Sequence, residues 1–508
     1  MSVSEVTRRR LALAALALAM LTIGLDMTVL TVALPTLAVD LDAGAGALQW
    51  FSSAYTLALA ALMLPAGALG DRVGRKPVLL AALVLFGVAS AACAWAATAG
   101  QLIAARVVLG IAAAAMIPLS LAVLPVLFPG QGERARAMSI WVTASALGLP
   151  LGPVLGGWLV DNYWWGSVFL INVPMVIVGV VAVALWVPAS RDPVRRPMDL
   201  PGVGLSVLAM LAVTYGFIRC GEQGWGSVTG VVSLVAGLLV VAVFVVQQRG
   251  AATPLLDATL LAKRGFRWGA AFSVLITFAL FGMFFTVPQY FQEVLGVDSL
   301  GSGLRLLPMI AGIVVGARVG ARLSATLGTR AALVAGIATV AIGLGLGAVT
   351  RIDSPYWFAA CWIAVAGAGM GAATPVAMAI AIDDLDVDRG GVGSALLQAL
   401  RQAAGTLGVA VLGTVLITRY RAELGPWNTA PYDAGVSTAV TFAKSSGDSA
   451  ALAQAQSAFL AGMSLMLWTC AAICVGAALL AWWVLPRRAA RAEGIAAAAD
   501  GPESTYVG

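Results

Sequence analysis

The sequence predicts an all-helical membrane protein of fourteen transmembrane helices, grouped six, two and six. Four observations carry this. Of 508 residues, 60% are hydrophobic and 11% charged, with a mean hydropathy of +0.94. Apolar runs of about 18 residues or more recur from end to end, each long enough to cross a bilayer as a helix. Lys and Arg gather in alternate loops, twenty-one on one side against five on the other, as the positive-inside rule requires of a chain with both termini in the cytoplasm. Finally, the two ends of the chain repeat one another's Gly and Pro spacing.

Taken in order, the first six spans lie near 11–34, 48–69, 78–98, 102–126, 138–160 and 167–187. Two more follow a polar linker, near 200–219 and 227–247, and the last six lie near 268–291, 303–325, 331–349, 356–381, 393–418 and 459–485. The domain division is therefore a cytoplasmic N-terminus (1–10), a six-helix bundle (11–187), a linker with two inserted helices (188–267), a second bundle (268–486) and a cytoplasmic tail (487–508). Arg8-Arg9-Arg10 before an apolar run has the look of a signal peptide, but the run continues past Asp26 to Pro35 and becomes the first span. The acidic turn over 383–388 reads as solvated. The outer loop over 420–456, rich in Ser, Thr, Ala and Gly, shows no clear pattern and reads as partly disordered.

Composition excludes several functions. A β-barrel would alternate over about ten residues, and no such pattern appears. The net charge of +6 is scattered over short loops, which membrane topology explains better than nucleic-acid binding. The five cysteines lie in or beside apolar spans without CxxC spacing, so they pack; they form neither a disulfide framework nor a metal site. There is no histidine, which removes the commonest general base and metal ligand. No nucleophile–base arrangement, phosphate loop or soluble domain suggests an enzyme.

The densest charge lies in Gly67-Ala-Leu-Gly-Asp-Arg-Val-Gly-Arg-Lys-Pro77, between the second and third spans. Gly67, Gly70 and Gly74 allow two helix ends to approach and turn sharply. Asp71 is then placed to bond a neighbouring helix end, and Arg72, Arg75 and Lys76 to meet lipid phosphate. An ordinary positive-inside hairpin would look the same. The repeat is more telling. Thr31-Val-Ala-Leu-Pro35 echoes Phe285-Thr-Val-Pro288, Gly74 matches Gly328, Gly110 and Pro118 match Gly367 and Pro375, and Gly148 and Gly156 match Gly405 and Gly413. Two similar six-helix bundles follow from such order.

On these motifs the chain resembles the major facilitator superfamily, and within it the fourteen-helix drug:proton antiporter branch. Gly67–Lys76 matches the superfamily loop between helices two and three. Leu25-Asp-Met-Thr-Val-Leu-Thr-Val-Ala-Leu-Pro35 matches the branch's first-helix motif, with Thr31 where Asn is usual. Leu102-Ile-Ala-Ala-Arg-Val-Val-Leu-Gly110 matches the helix-four motif, and Gly148-Leu-Pro-Leu-Gly-Pro-Val-Leu-Gly-Gly157 the helix-five motif of antiporters. Trp165-Gly-Ser-Val-Phe-Leu-Ile-Asn-Val-Pro174 and Pro288-Gln-Tyr-Phe-Gln292 are further branch-like stretches. The resemblance implies a major facilitator fold in the bacterial cytoplasmic membrane. It also implies export of hydrophobic or amphipathic drugs against protons, with no cofactor beyond the proton gradient and a monomer as the working unit. A dedicated exporter of one endogenous molecule is the alternative; a non-transporting receptor or scaffold fits least.

Asp26 lies about 15 residues into its span, roughly 22 Å along the axis, where an ionisable carboxyl is a functional candidate. Burial disfavours its charge and a nearby cation favours it, so it can trade a proton; the alternative is a carboxyl that caps or pairs structurally. Arg106 in the fourth span, which the resemblance implies faces the cavity between the halves, either holds a carboxylate or a water chain there or snorkels to the outer surface. The repeat places Ala279 and Ile363 at the equivalent positions, so coupling is expected in the first half alone. Gly148, Gly152 and Gly156 share a helix face suited to close packing; with Pro153 and Gly157 they form the antiporter motif, expected to seal one side of the cavity against the other half. Asp71 is expected to latch one closed state, with Ala325 in its place in the second half. Tyr55, Met116, Trp141, Phe281, Phe285 and Tyr290 are candidates for the lining of a drug cavity, though each is also an ordinary core or lipid-facing residue. Arg305, Arg318 and Arg401 also fall in spans, without an assigned role.

Overall fold

In a computed structural model, which describes residues 5–128, 131–190, 199–251, 254, 258–383 and 390–485, every regular element is helical. The first bundle contains α1 (Glu5–Asp40), α2 (Ala45–Val73), α3 (Arg75–Ala94), α4 (Ala99–Leu127) and α5 (Gln131–Asn162), then α6 (Ser167–Leu170) and α7 (Asn172–Trp186), which together make one crossing. The inserted pair is α8 (Leu200–Gln223) and α9 (Val228–Gly250). After the short α10 (Ala258–Ala262) come α11 (Arg264–Gln289), α12 (Ser299–Arg305) running on into α13 (Leu307–Leu327), α14 (Thr329–Ala348), α15 (Tyr356–Asp383), α16 (Gly390–Leu424), α17 (Val436–Ser446) and α18 (Ser449–Val484). Thirteen described helices are long and apolar enough to cross a membrane, and α5, packed along α1, is the fourteenth expected span. The turn over 384–389 and the tail beyond 485 lie outside the described residues, so the expectations for them stand where the sequence left them.

The repeat is visible in the backbone. Gly74 (φ +128°) and Gly328 (φ +90°) each form a one-residue turn between successive spans, a conformation that side chains resist. Gly110 on α4 faces the carbonyl of Tyr55 on α2, 2.4 Å from where a Cβ would sit, and Gly367 on α15 faces that of Met309 on α13 at 2.2 Å. Apolar helices gain little from hydrophobicity inside a bilayer, so contacts this close supply the packing that holds them together. Each half has its own apolar core, one around Phe51, Phe86 and Met116, the other around Phe272, Trp362 and Phe459.

The inserted pair covers the seam between the halves. α8 packs on α2 of the first half and α16 of the second; Thr414 Oγ1 donates to the Phe217 carbonyl at 2.7 Å and Arg421 to that of Gly221 at 3.0 Å. α9 is tied to α8 through Asp199, which caps α8 at Gly202 and accepts from Gln247 (2.9 Å) and Gln248 (2.6 Å).

The segment 420–456 departs from expectation. α16 continues to Leu424, two 3₁₀ turns follow, and α17 lays Val436, Ala439, Val440 and Ala443 against the bundle before α18 begins at Ser449. Tyr420 Oη donates to the Tyr432 carbonyl and Arg421 to that of Asp433, each at 2.9 Å, which pins the turn. The helix is short and built from small residues, so its one apolar face hides in a composition that reads as loop.

Backbone contact makes a sharp stability test. Gly110→Val should lower unfolding stability in detergent by about 1–3 kcal/mol or more through overpacking, whereas Gly100→Ala, with nothing within 4 Å of its Cβ position, should leave it unchanged. Thermal unfolding of the purified variants checks both.

Candidate functional site

Asp26 and Arg106 meet inside the first bundle. Arg106 Nη1 donates to Asp26 Oδ2 at 2.8 Å, and the residues are 0% and 1% exposed. Neither reaches the surface, so Arg106 does not snorkel. The second carboxylate oxygen, Oδ1, accepts from Asn172 Nδ2 at 3.0 Å, which also lies 3.3 Å from Ser90 Oγ. Arg106 Nε donates to the Phe51 carbonyl at 3.0 Å, and its guanidinium lies 4.5 Å from the Tyr55 ring centroid and 5.9 Å from that of Phe169. With donors on both oxygens, the arrangement is complementary to an ionised carboxylate. Five spans, α1, α2, α3, α4 and the α6–α7 crossing, contribute to it.

Sequence reasoning finds the two charges and misses their neighbours. Asn172 and Ser90 are buried polar residues in apolar spans, a signal of the same kind as Asp26 but weaker, because neutral side chains are commoner in membranes. Asn172 also lies within the branch-like stretch Trp165–Pro174.

The helix-five motif divides its work. A Cβ on Gly148 would lie 2.3 Å from the backbone of Gly24, on Gly152 2.0 Å from Thr28 Oγ1, and on Gly156 2.8 Å from the Val29 carbonyl, so this stripe packs on α1 within its own half. Pro153 and Gly157 face the other half: a Cβ on Gly157 would lie 2.4 Å from the Ser299 carbonyl oxygen, and one on Gly303 2.3 Å from that of Pro153. This contact lies at the face that the charge asymmetry marks as outer. There Asp161 accepts the N–H groups of Ser299 (3.2 Å) and Leu300 (2.7 Å) at the start of α12, and Gln292 donates to the Val32 carbonyl at 3.0 Å.

In the hinge, Gly70 packs on Leu119 and Gly67 on Pro118. Asp71 accepts from Arg75 Nε at 2.9 Å, across the Gly74 turn to the first residue of α3, and has no hydrogen bond to a more distant helix end among the described residues. Arg75 makes that connection instead, donating to the Ala122 carbonyl of α4 at 3.0 Å, while Lys76 donates to the Ala184 carbonyl of α7 at 2.8 Å. The cations complement the carbonyl ends of two helices, and only Arg72 of the three stays free of such a contact among the described residues. Asp71 thus holds Arg75 in position.

The six cavity candidates do not share one opening. Met116 is sealed in the first core and Tyr290 in the second, beside Phe291, because both fill gaps between closely packed spans. Tyr55 lies against Arg106. Trp141 Nε1 donates to Ser120 Oγ at 3.0 Å, joining α5 to α4. Phe281 and Phe285 belong to the second half but pack on the first core. Phe285 also borders a cavity of about 20 Å³ beneath α17, room for a water and not for a drug.

Removing one partner of a buried pair strands the other. Arg106→Gln should therefore cost about 3–5 kcal/mol of stability, and adding Asp26→Asn should recover a large part of that loss. Unfolding of the two single variants and the double variant measures the coupling; additive losses would show that the pair does not act as a unit.

The Major Facilitator Superfamily family model matches residues 16–409. The chain is 32% identical to the Multidrug efflux pump LfrA of Mycolicibacterium smegmatis, over 88% of each protein. It is 34% identical to the Probable actinorhodin transporter of Streptomyces coelicolor, over 84% of this chain and 75% of that protein. In fold it is similar to a bacterial homolog of the human lysosomal transporter Spinster, with a TM-score of 0.69 at 15% identity, over 94% and 97% of the two chains. With two repeated six-helix bundles, a sealed acid–base pair in the first and a family match over most of its length, the chain is a member of the Major Facilitator Superfamily.

Proposed function

We propose that this protein exports hydrophobic or amphipathic drugs or antibiotics across the bacterial cytoplasmic membrane in exchange for protons, by alternating access, as a monomer with both termini in the cytoplasm. The observation that carries the proposal is the Asp26–Arg106–Asn172 cluster, a titratable group sealed between helices of a chain whose relatives include a named multidrug efflux pump. In the ionised state Asp26 binds α4 and α7 to α1. A proton on Oδ2 removes the charge attraction to Arg106 and one acceptor, so the three helices are freer to shift. Reaching the opposite state also requires the halves to part at the outer face, breaking the Asp161 contacts with α12 and the Gln292–Val32 hydrogen bond. On this reading Gly148, Gly152 and Gly156 hold α1 and α5 together as one body, while Pro153 and Gly157 form the surface that separates. The hinge keeps α2, α3 and α4 aligned. A potential of 100 mV is worth about 2.3 kcal/mol per charge moved, roughly a 40-fold concentration gradient.

One observation favours a second reading, export of a single endogenous compound: the similarity to the Probable actinorhodin transporter. A resistance profile against a broad drug panel separates the two.

The test is drug efflux from energised cells at matched membrane expression. An uncoupler should abolish wild-type efflux, and Asp26→Asn and Arg106→Ala should each reduce it at least tenfold. Normal efflux by Asp26→Asn that the uncoupler still blocks would move the proton carrier elsewhere.

A further inference from the structure

The charges inside the two bundles are not equally committed. In the first, both oxygens of Asp26 are taken, so no free carboxylate awaits a cationic drug there. The other buried carboxyl in a described span, that of Glu293, is at the outer end of its span beside Ser437. In the second bundle Arg401 stands about 16 Å along α16 from Gly390 with no carboxylate partner among the described residues. Its Nε donates to Thr277 Oγ1 at 3.2 Å, and its Nη1 to Gln398 Oε1 at 3.2 Å and, weakly, to Met378 Sδ at 3.5 Å. All three partners are neutral. Nη2, with two N–H groups, has no partner among the described residues, and the Arg401 side chain is only partly buried. A guanidinium held at this depth by neutral groups is expensive, and its fork matches a carboxylate.

The surroundings are polar on one side and aromatic on the other. Ser273, Thr277 and Phe281 lie four residues apart and so share one face of α11, turned to α16 through the Thr277–Arg401 contact. The Ser273 hydroxyl is buried without a partner among the described residues, a spare donor one turn from Thr277. Phe281 lies flat on Gly405, one turn beyond Arg401, with ring atoms 3.1 Å from the position of a Cβ. One more residue along, Thr406 Oγ1 donates to Thr56 Oγ1 at 2.8 Å, across the boundary between halves. Arg401 therefore lies close to where the halves meet.

We propose that Arg401, held by Thr277 and Gln398 and assisted by Ser273, binds the anionic group of an amphipathic aromatic substrate whose ring system lies toward Phe281. This deepens the exporter reading and rests on it: the pump would prefer organic anions, or zwitterions presenting a carboxylate or phenolate, to cations.

Binding of 1-pyrenebutyrate and of its methyl ester tests this, by fluorescence on purified protein in lipid nanodiscs with empty nanodiscs as reference. Wild type should bind the carboxylate at least about tenfold more tightly than the ester, the scale of one charge-assisted hydrogen bond. Arg401→Gln should erase that preference by weakening the carboxylate alone, and Arg401→Lys should retain part of it. Equal binding of the two probes by wild type, or an equal loss of both in Arg401→Gln, would overturn the proposal and leave Arg401 a packing residue. The wild-type comparison stands even if Arg401→Gln fails to fold. Uncoupler-sensitive efflux of the uncharged ester reports on the exporter reading separately, since it does not depend on Arg401.

Discussion

A carboxylate and a guanidinium enclosed by apolar helices set the terms for the first half of this protein. Each charge alone costs several kcal/mol at such depth, and together they are tolerable only with nearly every lone pair and donor matched. Arg106 meets that demand with Asp26, the Phe51 carbonyl and two aromatic faces, and Asp26 with Arg106 and Asn172. The cluster therefore fixes how α1, α2, α4 and α7 sit relative to one another. Any step that changes the charge of Asp26 changes what those helices can gain by staying together, which is the physical content of coupling a proton to a movement.

Close backbone packing turns that local change into the motion of a body. With Gly148, Gly152 and Gly156 seated on α1, a shift of α1 carries α5, and α5 bears Pro153, Gly157 and Asp161 against α12. A chain of direct contacts thus runs from the buried pair to the outer contact between halves. The α8–α9 pair lies across the α2–α16 seam, anchored near Thr414 and Arg421 at the second half and resting on α2 at the first, so it shields the place where the halves must slide. The halves are alike in backbone and different in charge: Gly74 and Gly328 turn alike, yet the buried pair lies in one half, and in the other Arg401 has no carboxylate partner among the described residues.

Much of this was legible in the sequence because a membrane simplifies the code. Spans show as long apolar runs, and a lone Asp26 or Arg106 in such a run is conspicuous because it is costly. Gly74 and Gly328 could be matched by spacing alone. Pairing between spans was harder. Nothing in the order of residues says that Asn172, 146 positions along the chain, completes the shell of Asp26, since helices of similar hydropathy can be neighbours in many arrangements. Asp71 has the look of a group free to reach a distant helix, but the Gly74 turn brings Arg75, the first residue of α3, to 2.9 Å from its carboxylate. Tyr290 and Met116 had the chemistry of a drug cavity and the burial of a core, a distinction set by which face of a helix meets which neighbour. The helix α17 is hidden in the sequence because small residues bury surface without announcing a period.

Competition of drug and proton through Asp26 follows if that carboxyl carries the exchanged proton. Its most direct measurement is proton release on drug binding, followed with a pH indicator in weakly buffered solution of the purified protein. A transported drug should release protons from the wild type, with a yield that falls as the starting pH rises, and release none from Asp26→Asn although that variant still binds the drug. Equal release from wild type and Asp26→Asn would contradict it, placing the exchanged proton on another group.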